Sequence, residues 1–126
     1  FASGCDVLTC HLPLTEETKG IVDYRLLNAM NRGGCVINAA RGDHMVEGDI
    51  VHALNENILS FAFLDVFTSE PLPPDSPLWG HENVMITYHS AAYIGAELGA
   101  RIIADNIRSF EIGSYEGPRY DAALGY

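Results

Sequence analysis

Residues 33–67 read GGCVINAARGDHMVEGDIVHALNENILSFAFLDVF, and the pattern changes twice along them. GGCVINAA (33–40) is a short apolar run after a glycine stop. EGDIVHALNEN (47–57) places Ile50, Val51 and Leu54 at helical spacing. LSFAFLDVF (59–67) is again a compact run rich in strand-forming residues. A strand, a helix and a second strand in this order predict a βαβ unit, the building block of a parallel sheet.

The same alternation extends in both directions. Upstream, DVLTCHL (6–12) predicts a strand stopped by Pro13, and a helical segment follows over residues 23–30. Downstream, NVMITYH (83–89) predicts a fourth strand. A long helix follows over 91–112, with Ile94, Leu98, Ile102, Ile103 and Ile107 spaced for one face. Near-continuous apolar strands separated by amphipathic helices indicate an α/β fold, doubly wound, with a parallel sheet covered on both faces. No G-x-G-x-x-G turn occurs in the chain. The expectation is therefore the second half of a Rossmann-type sheet, the first half preceding Phe1, ending in a long helix and a polar tail.

Composition narrows the function classes. With 126 residues and 48% hydrophobic content the chain suits one compact domain. Seventeen acidic against seven basic residues give a net charge of −10, which repels phosphate backbones and anionic membrane surfaces. Nucleic acid and membrane are thus excluded as partners, and a small anionic ligand must meet a local cation. The apolar runs are far shorter than the ~20 residues of a membrane span, and no signal peptide pattern is present. Three cysteines, Cys5, Cys10 and Cys35, lie in apolar segments and predict buried thiols of a reducing, cytoplasmic compartment. Cys5, Cys10 and His11 lack a second cluster and predict no metal site.

Right-handed crossovers bring the C-terminal ends of parallel strands to one edge, where open α/β folds bind ligands. Leu12 and Pro13, Arg41, Asp65 and His89 fall at those ends, and Glu70 lies in the loop leaving the third strand. Arg41, after small residues Ala39 and Ala40, offers a planar fork that grips a carboxylate and stays charged. His89 follows a strand and precedes small residues, a setting for a proton donor near neutral pH. Glu70 is followed by prolines at 71, 73, 74 and 77, which stiffen the loop. A carboxylate bonded to an imidazole orients the ring and favours its protonated form. His11, His44, His52 and His81 lack a strand-end setting combined with an acidic partner and read as structural.

Arg41, Glu70 and His89, spaced by 29 and 19 positions, resemble the catalytic set of the D-isomer-specific 2-hydroxyacid dehydrogenases. The runs CHLPLTEETKGIVD, INAARG, LDVFTSEPLPPDSPLW and ITYHSAA are similar to that family's, in order and over nearly the whole chain. SEPLPPDSPLW and the terminal LGY resemble the bacterial glyoxylate/hydroxypyruvate reductases. Tyr88, where the family more often has proline, and Ser90-Ala91-Ala92, where glycine is frequent, depart from the pattern and bear on the shape of the nicotinamide pocket.

The resemblance implies hydride transfer between NAD(P)H, with NADP favoured, and a small 2-keto or 2-hydroxy acid such as glyoxylate or hydroxypyruvate. Arg41 would bind the substrate carboxylate, His89 would donate the proton, and Glu70 would keep His89 charged. Asp65 would lie near the nicotinamide carboxamide, and Leu12, Pro13, Ala39, Ala40, Arg41, His89 and Ala91 would line the cofactor. Residues 1–92 would be the C-terminal half of a nicotinamide dinucleotide-binding domain. Residues 93–126 would be a helix and tail packing toward a substrate domain, in an enzyme that forms a homodimer. Two alternatives stay open: a non-catalytic, corepressor-like module on a dehydrogenase half-fold, and a related dehydrogenase of D-lactate, phosphoglycerate or formate.

Overall fold

A computed structural model describes residues 1–92 and 94–123; Tyr93 and the terminal LGY lie outside the described residues. Four strands, β1 (Val7–Cys10), β2 (Gly34–Asn38), β3 (Leu59–Leu64) and β4 (Val84–Ile86), form one sheet in the order β1-β2-β3-β4. Every pairing is parallel. Because each strand is added on the same side of the last, right-handed crossovers put the connecting helices on one face.

Those helices are α1 (Tyr24–Asn28) and α2 (Glu47–Asn55). Asp23 caps α1 by accepting from the Leu26 amide at 2.8 Å, and Asp49 of α2 accepts from the Tyr24 amide at 2.8 Å, so the two helix starts are tied together. Leu27, Ile50, Ala53 and Leu54 are buried against Leu8, Val36, Ala62 and Leu64 of the sheet. The register shifts by one residue between Gly34 and Cys35, with Ser60 as the extra residue. This bulge lets both Leu59 and Ala62 point into the core despite their odd separation.

The opposite face differs from the expectation of a sheet covered on both sides. Val7, Phe63 and Met85 are 55%, 38% and 50% exposed, so neither α1 nor α2 covers that face. Near-continuous apolar strands signal two apolar faces, but not which elements cover each. The cysteines also depart in part: all three are free, but only Cys10 is buried, since Cys5 and Cys35 lie toward less covered positions.

Between β3 and β4 there is no helix. The proline-rich segment crosses as a loop, anchored by buried Leu72 and Leu78 and by the Trp79 indole, which donates to the Pro73 carbonyl at 2.9 Å. The described chain divides into two units, one spanning Phe1–Ala91 and one beginning at Ala92. The second contains α3 (Ala96–Glu111), a 16-residue amphipathic helix without a buried residue. Among the described residues no helix is long and apolar enough to cross a membrane.

Candidate active site

The strands end at Cys10, Asn38, Leu64 and Ile86, and the loops that follow carry the polar residues singled out from the sequence. Asp65, one residue beyond β3, organises the turn after β4. Its backbone carbonyl accepts from the His89 amide at 2.8 Å. Its Oδ1 accepts from the Ser90 amide at 2.9 Å and from the Thr87 hydroxyl, and its Oδ2 accepts from the Ala91 amide at 2.9 Å. Three consecutive amides thus converge on one residue. Within this turn His89 adopts φ 52°, in the left-handed region. Burial alone would push the Asp65 carboxyl up, but the bonds from Thr87, Ser90 and Ala91 outweigh it and hold the group below the ordinary aspartate value.

That conformation directs the His89 ring to Glu70. Nδ1 of His89 lies 2.8 Å from Glu70 Oε2, while Glu70 Oε1 accepts from the Phe67 amide at 3.0 Å. The His89 hydrogen bond, seconded by the Phe67 amide, holds the Glu70 carboxyl below its ordinary value. An ionised carboxylate only accepts, so Nδ1 carries the proton in this pair. Nε2 has no partner among the described residues and is the ring nitrogen open to another molecule.

Arg41 follows β2, whose last residue, Asn38, is buried and holds the turn from both sides: Oδ1 accepts from the Ala40 amide at 3.1 Å and Nδ2 donates to the Arg41 carbonyl at 2.9 Å. The exposed guanidinium donates to the Ala40 carbonyl at 2.7 Å. It makes no ion pair with Glu70 among the described residues, so His89 and Glu70 meet directly while Arg41 shares only their edge.

The two loops are nevertheless locked together. Gly42 sits so close to the Phe67–Thr68 backbone that a Cβ there would collide with the Phe67 carbonyl group and the Thr68 amide nitrogen. Glu47 Oε1 accepts from the Thr68 amide at 2.8 Å. Gly42, Glu47 and Thr87 were not singled out from the sequence. The glycine directly after Arg41 was the available signal, since glycine in a polar turn often marks a close backbone approach.

The remaining expected positions also fall at this edge. Leu12 is 44% exposed, Ala39 and Ala40 give a low wall after β2, and Ala91 is exposed with its amide on Asp65. The Pro13 carbonyl faces inward and accepts from the Thr18 hydroxyl at 2.7 Å. Beside the His89–Glu70 pair opens a cavity of about 470 Å³, lined by Phe67, Leu72, Trp79 and Tyr88 among others.

A parallel α/β sheet with a carboxylate–imidazole pair and an arginine at its C-terminal edge defines a half of a dinucleotide-type enzyme domain. Residues 1–91 match the family model described as D-isomer specific 2-hydroxyacid dehydrogenase, NAD binding domain, and the chain belongs to that family. It is similar to a D-isomer specific 2-hydroxyacid dehydrogenase from Xanthobacter autotrophicus Py2 solved with NADPH and MES. The two share 38% identity at a TM-score of 0.91, over 100% of this chain and 52% of that one. A probable 2-hydroxyacid dehydrogenase from Rhizobium etli CFN 42, solved with NADP, HEPES and L(+)-tartaric acid, is 44% identical at a TM-score of 0.87, over 96% of this chain and 40% of its own. An NADPH-dependent glyoxylate/hydroxypyruvate reductase from Sinorhizobium meliloti, solved with NADP and sulfate, is 37% identical at a TM-score of 0.89, over 96% and 40%. The chain thus spans about half, or less, of the length of these relatives.

Proposed function

We propose that the chain supplies the acid/base half of an NAD(P)-dependent reductase of small 2-keto acids, with NADP favoured and glyoxylate or hydroxypyruvate as substrates. The observation that carries this is the His89 Nδ1–Glu70 Oε2 contact of 2.8 Å at the C-terminal edge of the sheet. Support also comes from relatives solved with NADPH or NADP.

The cofactor supplies the hydride. The residues here fit its nicotinamide end: Ala39, Ala40 and Ala91 are small enough to let a flat ring approach, with Leu12 and Pro13 along the border. No glycine-rich pyrophosphate turn is among the 126 residues. Asp65 contributes by holding the Thr87–Ala91 segment against which the carboxamide end would rest. Arg41, once its guanidinium leaves the Ala40 carbonyl, binds the substrate carboxylate through two parallel hydrogen bonds. His89 gives its Nε2 proton to the substrate carbonyl oxygen as negative charge develops there, and Glu70 stabilises the ring's charged form through Nδ1. In the reverse direction neutral Nε2 takes the proton back. Residues 93–126 pack toward the substrate domain, and the complete enzyme is a homodimer.

The corepressor-like alternative has no observation in its favour, whereas the pair and the arginine at one edge are what proton transfer to a keto acid needs. The test is NADPH oxidation with glyoxylate or hydroxypyruvate by the complete protein and by its His89→Gln variant. Expected is turnover in the wild type that falls by about 10²-fold or more in the variant. Equal rates would refute the assignment.

A further inference from the structure

Arg41 can bind a carboxylate only if its backbone is fixed, and one buried side chain holds both that backbone and a neighbouring loop. His44 is 0% exposed. Its Nδ1 lies 3.2 Å from the Arg41 amide nitrogen and 3.1 Å from the Arg41 carbonyl oxygen, and its Nε2 lies 3.2 Å from the Pro13 carbonyl oxygen. Pro13 and Arg41 belong to loops after different strands, β1 and β2.

The contacts to the Pro13 carbonyl and the Arg41 amide select one tautomer. A carbonyl oxygen can only accept, so Nε2 must carry a proton to bond Pro13. The Arg41 amide can only donate, so Nδ1 must present its lone pair. The Nδ1–H tautomer would set a lone pair against the Pro13 oxygen and an N–H against the Arg41 amide. Doubly protonated imidazole would satisfy both carbonyls and leave the Arg41 amide facing a second donor. The neutral Nε2–H form satisfies the Pro13 carbonyl and the Arg41 amide together, and leaves the Arg41 carbonyl to its other donors, the Asn38 side chain and the His44 amide. The backbone also joins the two loops farther along, where the Gly20 amide donates to the Asp43 carbonyl at 2.7 Å and the Val22 amide to the His44 carbonyl at 2.9 Å, but among the described side chains the His44 ring is the one that reaches from Pro13 to the Arg41 amide, and Asn38 completes the hold by donating to the Arg41 carbonyl.

From this geometry we infer that His44 is a positioning residue for Arg41: it clamps the Arg41 amide to the Pro13 loop and so fixes the origin of the substrate-binding side chain. The inference rests on Arg41 being the carboxylate ligand. It assigns a task to a histidine whose sequence setting reads as structural.

Two substitutions separate the clamp from packing, because the amide of asparagine overlays Nδ1 and that of glutamine overlays Nε2. His44→Asn keeps an acceptor for the Arg41 amide. His44→Gln keeps the donor to Pro13 but not that acceptor, and His44→Leu keeps only bulk. The first measurement is amide hydrogen exchange at Arg41 in the 126-residue chain, with the ring tautomer read from imidazole nitrogen shifts. The second is KM and kcat for glyoxylate in the complete protein. Expected are an Nε2–H ring and Arg41 exchange about tenfold faster in the Leu and Gln variants, as for one lost hydrogen bond. KM should rise about five- to tenfold in both at nearly unchanged kcat, with Asn restoring exchange and KM to within about twofold. Leu matching the wild type in exchange would overturn the clamp, as would Leu and Asn impaired equally. A wild-type protein that reduces no 2-keto acid would instead overturn the reading of Arg41, while Arg41 exchange would still decide whether His44 holds that amide.

Discussion

Replacing Asp65 by asparagine removes one acceptor and the charge while keeping the shape. In the native turn Oδ1 serves Thr87 and Ser90, and Oδ2 serves the Ala91 amide. An asparagine keeps its oxygen on the side with more donors and turns its NH₂ toward the Ala91 N–H, donor against donor. One charge-assisted bond is lost, the Ala91 amide is left facing a donor, and the remaining bonds lose their ionic partner. The sum is about 2–4 kcal/mol, with the Asp65 side chain itself only 6% exposed. With a urea m-value of about 2 kcal/mol/M this moves the unfolding midpoint down by about 1–2 M. The pH dependence separates charge from shape. Since the folded Asp65 carboxyl titrates below its ordinary value, its stabilisation is complete above the unfolded value of about 3.9 and is lost as pH falls through the lower folded one. The wild-type–mutant gap should therefore be constant from pH 7 to about 5 and narrow below about 4. A gap under about 0.5 kcal/mol at pH 7, or one as wide at pH 3 as at pH 5, would refute the reasoning.

The other predictions address the remaining contacts. Glu70→Gln in the complete enzyme keeps the acceptor for the Phe67 amide but removes the charge opposite the His89 ring. For a lost charged hydrogen bond, kcat/KM for keto-acid reduction should fall by about 1.5–3 kcal/mol of transition-state stabilisation with NADPH affinity nearly unchanged; an unchanged kcat/KM would leave Glu70 a merely structural group. Gly42→Ala must displace the Phe67–Thr68 backbone, at a cost of about 1–3 kcal/mol in thermal or urea unfolding; unchanged stability would mean that the two loops are not in contact. Arg41→Lys keeps charge but loses the fork, so kcat/KM for glyoxylate should fall by about 1.5–3 kcal/mol of transition-state stabilisation with NADPH affinity nearly unchanged. An equal loss in cofactor affinity would make Arg41 a cofactor or structural residue.

Element order was legible in the residues because it depends on local periodicity. The alternation over residues 33–67 predicts strand, helix and strand, and β2, α2 and β3 occupy those runs with the ends trimmed. Trimming follows from tertiary partners. GGCVINAA extends to Ala40 by composition, yet β2 stops at Asn38, whose side chain turns back to bind the Ala40 amide and the Arg41 carbonyl. The stiff loop after β3 was equally readable from its prolines, as was Glu70 as the residue it carries.

What the sequence determined by itself was therefore the α/β order, the strand-end placement of Arg41, Asp65 and His89, and the family that their motifs resemble. Each depends on residue type and spacing along the chain. Only the tertiary structure decided that Asp65 gathers three successive amides and sets His89 at positive φ, that Gly42 meets the Phe67–Thr68 backbone, and that His44 joins Pro13 to Arg41. The physical reason is one of range. Hydrophobic period and turn chemistry act over a few residues and leave a trace in the string, whereas a hydrogen bond has a reach of about 3 Å between groups whose separation along the chain is set only by how the sheet brings its strand ends together.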